Sequence, residues 1–120
     1  MARTDGPDHA ALNHVHLRGR LASAALEREL PSGDTVAIFR LVVDRPPRRE
    51  SSARVDTLDC AVFRGDVRRR LLRCEAGDVL EVEGALRRRF FRAGGGAASR
   101  YEVEVTALRR SPRPSGLVRR

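Results

Sequence analysis

The sequence contains no Lys, no Trp and no Gln, and aromatic residues make up only 4% of its 120 residues. The missing Lys excludes a phosphate-binding loop of the Walker type, which depends on that side chain. The scarcity of aromatic residues means that the core must consist mainly of Val, Leu and Ala. Apart from three His, every basic residue is Arg, and Ile and Asn each occur once, a bias typical of a GC-rich genome.

No stretch is long and apolar enough to span a membrane, and residues 1–10 lack the apolar segment of a signal peptide. We therefore expect a cytoplasmic protein. Cys60 and Cys74 lack the spacing of metal ligands, so two buried thiols are favoured over a disulfide. Asp56 and Asp59 would lie on opposite faces of a strand, and no catalytic motif is recognisable. We predict no enzymatic activity, no cofactor, no metal and no small-molecule substrate.

The charge and length of the chain are more informative. The formal net charge is +8, which favours a polyanionic partner such as a nucleic acid. The chain is long enough for one compact domain, which we expect over residues 13–108. Residues 1–12 are predicted to form a flexible leader. Residues 109–120 hold five Arg, two Pro and no acidic residue, and are predicted to be a disordered basic tail.

The domain alternates apolar and polar residues in several segments, as half-buried strands do. Val67, Leu71 and Cys74 are spaced as on one face of a helix, which we expect to run from about residue 65 to a stop at Gly77. Gly84 lies inside an apolar segment and predicts a bulge or bend. Strands are predicted at 13–21, 35–44, 55–63, 78–86 and 101–108, with a hairpin arm at 87–100.

The predicted order is β-β-β-α-β-β. A single short helix between the third and fourth of five strands is the arrangement of the OB-fold, an all-β, partly open Greek-key barrel that binds oligonucleotides. Other small barrels could share these elements, so the pattern supports the fold without proving it.

Several motifs in this order resemble the bacterial single-stranded DNA-binding protein family. The first is Asn13-His14-Val15-His16-Leu17-Arg18-Gly19-Arg20-Leu21. The others are Leu30-Pro31-Ser32-Gly33 with the strand after it, the segment 75–86, Arg87-Arg88-Arg89-Phe90-Phe91, and the closing Tyr101-Glu102-Val103-Glu104-Val105. The similarity extends over about residues 13–108.

The resemblance implies sequence-independent binding of single-stranded DNA in replication, recombination or repair, near the nucleoid, as a homotetramer or, failing that, a dimer. It also implies that the first strand pairs subunits, which favours an interface role for His14 and His16 over a metal site. The chain ends in basic residues where the family's replicative members carry an acidic tip. Thr57 occupies a position that is commonly aromatic in the family. Both departures indicate an accessory or divergent paralogue.

Binding of unpaired strands requires cations along the phosphates and flat rings for the bases. In an extended arm Phe90 and Phe91 point to opposite faces, and the resemblance places Phe91 in the binding groove, with core or subunit-interface packing as the alternative. Tyr101 could stack on a base or pack at the barrel end. The residues predicted to bind nucleic acid are Phe63, Arg64, Phe91, Arg87, Arg89, Arg92, Arg45, Arg48, Arg49, Arg54 and Tyr101.

Other functions remain open at this point. The reduced aromatic set favours a divergent OB-fold module that binds a replication protein, whereas the net charge favours nucleic acid. Single-stranded RNA is a further alternative, because a stacking groove accepts either sugar unless it contacts the 2′-hydroxyl. The arginines of the helix, at positions 68, 69, 70 and 73, are predicted to form a solvated face.

Overall fold

The computed structural model describes residues 10–47, 52 and 54–112. Six strands and one helix are found in this part of the chain. In chain order they are β1 (Val15–Leu21), β2 (Leu26–Glu29), β3 (Thr35–Asp44), β4 (Val55–Val62), α1 (Gly65–Leu72), β5 (Val79–Ala93) and β6 (Gly96–Arg110). No helix among the described residues is both long enough and apolar enough to cross a membrane.

Five of the strands close into a ring. β1 pairs antiparallel with β5, β5 with β6, and β3 with β4, while β4 and β6 are parallel neighbours. The ring closes where Arg20 and Leu21 of β1 pair with Val42 and Leu41 of β3. Since α1 follows the third strand of the ring, the predicted OB-fold barrel is confirmed. β2 lies outside the ring, and its one pairing within the described residues is with β3.

Two glycines allow strands to approach closely at the corners of the barrel. A Cβ on Gly19 would lie 2.4 Å from the carbonyl oxygen of Val42, where β1 meets β3. A Cβ on Gly84 would lie 1.9 Å from the carbonyl oxygen of Glu104, and the β5–β6 register shifts between Glu83 and Gly84. The irregularity that the sequence predicts at Gly84 is therefore present, and its cause is backbone contact.

The core is aliphatic, as the composition predicts. Phe39 is its only buried aromatic residue among those described, at 6% exposure. The thiols of Cys60 and Cys74 are both buried, as expected. Burial raises the pKa of the Cys60 thiol to about 12, so this side chain behaves as a small apolar group. The other core residues include Leu21, Ala37, Leu41, Val62, Val67, Leu71, Leu80, Val82, Val103, Val105 and Leu108.

Four features of the fold differ from the sequence-based expectations. The sequence pattern does not predict β2. α1 ends at Leu72, and Gly77, with φ of +90°, lies in the following turn. The fourth predicted strand and the first half of the arm are one strand, β5. β6 continues through Arg110, so residues 109 and 110 pair with β5 and do not belong to a tail. Most of the predicted leader (1–9) and tail (113–120) lies outside the described residues.

Candidate nucleic-acid interface

A groove of about 760 Å³ runs between the outer surface of β2 and β3, the end of β4 and the hairpin arm formed by β5 and β6. Its apolar and aromatic lining is Leu26, Leu30, Val36, Ile38, Phe39, Cys60, Phe63 and Phe91. Its polar lining is Ser23, Arg28, Arg40, Asp59, Arg89, Arg92, Arg100 and Glu102. Rings and cations are thus brought to one surface.

The aromatic rings of the groove differ in accessibility. Phe91 is 42% exposed, Phe63 is half-buried, and Phe39 forms part of the core beneath them. The guanidinium carbon of Arg100 lies 5.3 Å from the centre of the Phe91 ring, and that of Arg89 lies 5.3 Å from the centre of the Phe63 ring. Planar guanidinium and aromatic groups of this kind can stack with nucleobases.

Five arginines and two carboxylates line the groove, so its lining is net positive. Arg40 pairs with Asp59 at 3.2 Å, and Arg100 lies 3.9 Å from Glu102. Within the described part of the chain, Arg28 and Arg92 have no carboxylate partner. These two side chains are the groove cations most available to a phosphate.

Two of the predicted arginines on the arm are held by carboxylates of β6. The Nε of Arg89 donates to Glu102 at 2.6 Å, and that of Arg87 donates to Glu104 at 3.1 Å. Glu102 is the buried charged residue of the described chain, at 6% exposure. Arg89 therefore neutralises a buried carboxylate as well as lining the groove, whereas Arg87 does not line it.

The arm presents a different surface on its opposite face. Arg88 and Tyr101 are direct cross-strand partners there, and the Arg88 guanidinium lies 5.0 Å from the centre of the Tyr101 ring and 5.6 Å from that of Phe90. Arg88 also donates to the Tyr101 hydroxyl at 3.1 Å. Tyr101, predicted as a binding residue, is thus on the far side of the arm from Phe91, as is Phe90.

The remaining predicted residues are not part of the groove lining. Arg64 precedes α1 and pairs with Asp66 at 3.1 Å. Arg45 donates twice to Asp56, and these hydrogen bonds lower the pKa of that carboxyl and raise the pKa of the guanidinium. Arg54 is exposed, and its carbonyl accepts a hydrogen bond from the Arg45 backbone N–H. Arg48 and Arg49 lie outside the described residues.

Sequence reasoning misses Arg28, Arg40 and Arg100 as groove residues. Arg28 depends on β2, whose alternating Leu26-Glu27-Arg28-Glu29-Leu30 is an available signal. Arg100 is the cross-strand partner of Arg89, which becomes evident only when the hairpin register is known.

The outer face of β1 and β5 carries histidines paired with acids. His14 lies 3.0 Å from Glu83, and His16 lies 2.5 Å from Glu81. Hydrogen bonding from His16, together with Arg109 and Arg18, lowers the pKa of the Glu81 carboxyl. Across residues 10–47, 52 and 54–112, no three His, Cys, Asp or Glu side chains form a group that could hold a metal ion.

Known proteins resemble this chain in both sequence and fold. The profile of the Single-strand binding protein family matches residues 12–111. The chain is 30% identical over 97 residues to the Single-stranded DNA-binding protein of Oceanobacillus iheyensis, an alignment covering 80% of this chain and 60% of that relative. The chain therefore spans less than two thirds of the relative's length. Its fold is similar to that of a Plasmodium falciparum SSB in complex with ssDNA, with a TM-score of 0.74, 20% identity, and coverage of 87% of this chain and 98% of the other.

Proposed function

The chain belongs to the single-strand binding protein family, and from this premise we propose that it binds single-stranded DNA independently of sequence. The observation that carries the proposal is the groove, in which exposed Phe91 and half-buried Phe63 stand beside arginines. Aromatic faces accept any unpaired base, and guanidinium groups contact the phosphates between bases. No hydrogen-bond readout of the bases is needed, so the binding is sequence-tolerant.

The proposed role is that of a binding protein without catalysis, acting in the cytoplasm at the nucleoid during replication, recombination or repair. Of the residues that the sequence predicts to bind nucleic acid, we assign Phe63, Phe91, Arg89 and Arg92 to the groove. Arg45 and Arg54 adjoin the predicted basic loop that contains residues 48 and 49. We propose that this loop makes a second contact with the DNA strand.

We further propose that the protein assembles as a homotetramer, with a dimer as the alternative. Residues 15–20 of β1 pair with β5 on one side, and within the described chain only Arg20 and Leu21 pair with β3 on the other. An unpaired strand edge is a template for pairing with another chain. Phe90 and Tyr101, at 74% and 58% exposure, provide additional apolar surface for subunit contact.

A protein-binding module is the second candidate function. The observation that favours it is the number of groove and arm arginines already paired with carboxylates, among them Arg40, Arg87 and Arg89. Paired guanidinium groups contribute less to phosphate binding than free ones, because their carboxylates compete with the phosphate.

Fluorescence anisotropy with labelled oligothymidine DNA, oligouridine RNA and duplex DNA of equal length tests the proposal. We expect the protein to bind single-stranded DNA more tightly than duplex, and the affinity to fall with salt at a log–log slope of about −0.7 per phosphate neutralised. Absence of binding at low salt would support the protein-binding module. Preference for the RNA would replace DNA with RNA as the ligand.

A further inference from the structure

A second basic cavity lies where the end of α1 meets the end of β6. It has a volume of about 460 Å³ and shares no lining residue with the groove among the residues that the structure describes. Its lining is Arg70, Arg73, Cys74, Leu108, Arg109 and Arg110. Four of these six lining residues are arginines, and none of the six is a carboxylate or an aromatic residue.

These arginines are less neutralised than those of the groove. Arg109 pairs with Glu81, but Arg73 and Arg110 have no ion-pair partner in the part of the chain that the structure describes. Arg70 donates to the carbonyl oxygen of Leu108 at 2.9 Å. This bond fixes one edge of the Arg70 guanidinium and leaves its other N–H groups available, since Arg has five donors.

Local structural needs account for only part of the cluster. Arg70 and Arg73 lie at the C-terminal end of α1, where positive charge complements the helix dipole. Arg109 and Arg110 come from a strand, and of these two only Arg109 has a carboxylate partner among the described residues. Their convergence with the helix arginines brings like charges together, and an anion bound between them would offset this repulsion.

We infer that this cavity binds phosphate groups of the nucleic-acid backbone, as a contact separate from the groove. The inference rests on the proposed function. Guanidinium groups match phosphate oxygens in geometry and charge. Because the described lining includes no aromatic ring, the proposed contact is with the phosphates of the backbone. Only a DNA strand that is long enough to extend beyond the groove can make this contact.

The test compares two variants that remove two positive charges each. Arg73→Ala with Arg110→Ala removes two arginines from the cavity. Arg69→Ala with Arg20→Ala is the control, because Arg69 is an exposed residue in the last turn of α1 that does not line the cavity, and Arg20 lies on β1. Both variants are first checked for wild-type melting temperature and mass in solution. Arg73→Ala alone, at an exposed residue, serves if the double variant is unstable.

Each protein is titrated with two oligothymidines, one of about 8 nucleotides, within the site size of a single OB-fold, and one of about 40 nucleotides. We expect the cavity variant to bind the short strand like the wild type. It should bind the long strand several-fold more weakly than the control does. Its salt slope should be shallower by about 0.7 for each phosphate that it no longer neutralises.

If the cavity variant and the control have equal affinity for the long oligothymidine, the inference is overturned. This result would not contradict binding in the groove. Equal weakening on both lengths would also overturn the inference, because the cavity would then not be a separate contact. If the wild-type protein binds neither strand, the proposed function itself fails, which is a distinguishable result.

Discussion

Arg89 has a structural role beside the one that we propose for it in binding. Its guanidinium lies over the Phe63 ring and hydrogen-bonds the buried Glu102 and the half-buried Glu104. A buried carboxylate that loses its partner destabilises the fold, because it has given up its interactions with water without gaining a hydrogen bond in return. Arg89 is therefore less available to a phosphate than its position in the groove suggests, and its first role is to neutralise Glu102.

Replacement of Arg89 should consequently reduce stability. We expect Arg89→Ala to lower the free energy of unfolding by about 1–3 kcal/mol, the cost of an unsatisfied buried polar group. Arg92→Ala is the matched control, since Arg92 lies on the same strand and has no ion-pair partner among the described residues. Chemical denaturation of both variants is the measurement. Equal stability of the two variants would show that Glu102 does not depend on Arg89.

Phe90 and Phe91 form a natural matched pair for the binding role, because they are adjacent in sequence and on opposite faces of the arm. Stacking of a base on an aromatic side chain contributes about 1–3 kcal/mol. We expect Phe91→Ala to weaken single-strand binding by that amount with little change in the salt slope, because the substitution removes no charge. Phe90→Ala should bind like the wild type.

Both phenylalanine variants need wild-type mass and melting behaviour before their affinities are compared. If Phe91→Ala meets these conditions and retains wild-type affinity, Phe91 does not belong to the binding site. If Phe90→Ala is the weaker binder, the opposite face of the arm contacts the nucleic acid.

At the level of elements, the sequence predicts those that bury one face. The sequence places β1, β3 and β4 within two residues of their observed bounds, whereas β5 and β6 extend beyond the predicted strands 78–86 and 101–108 into the predicted arm. β2 is not predicted because all of its residues, Leu26–Glu29, are exposed, and the short alternation of apolar and charged residues there is its one signal. Arg28, the groove arginine on β2, is therefore not predicted either.

The predicted end of α1 is wrong for a different reason. The buried spacing of Val67 and Leu71 continues to Cys74, which suggests a longer helix. In the structure, the N–H groups of Arg73 and Cys74 donate to the carbonyls of Arg70 and Leu71, three residues back. The last turn is thus tightened, and Cys74 reaches the core from outside the α-helix.

The close approach of β5 and β6 at Gly84 yields a prediction about the barrel. A methyl group on residue 84 would overlap the Glu104 carbonyl oxygen, and the three nearest atoms all belong to the β6 backbone, which limits relaxation. We expect Gly84→Ala to lower the free energy of unfolding by about 1–3 kcal/mol. Gly95→Ala, at the arm tip with no described atom within 4 Å of the added Cβ, should have little effect. Thermal unfolding of the two variants is the comparison, and equal melting temperatures would contradict the assigned strand crossing.

For the whole molecule, net charge alone predicts a polyanionic partner but not where it binds. Many arginines on the barrel surface are neutralised by neighbouring carboxylates, as in the pairs of Arg20 with Asp44 and Arg64 with Asp66. Among the described residues, the arginines without such partners include two at the groove, 28 and 92, and two at the second cavity, 73 and 110. This distribution follows from tertiary pairing and could not be obtained from composition.

Assembly is the second property of the whole molecule that can be tested. With one edge of β1 mostly unpaired, we expect light scattering to give four times the mass of the chain at micromolar concentration, or twice that mass for the alternative dimer. The mass should be unchanged by salt if strand pairing and apolar contacts dominate. A monomer at these concentrations would contradict the proposed subunit pairing.

The central claim is that unpaired bases stack in the groove and not on the opposite face of the arm. With only four Phe in the sequence, fluorine NMR of protein labelled with 4-fluorophenylalanine gives four assignable resonances. On addition of oligothymidine, we predict large shifts for Phe63 and Phe91, a smaller one for buried Phe39, and none for Phe90. A shift at Phe90 with Phe63 and Phe91 unchanged would contradict the account.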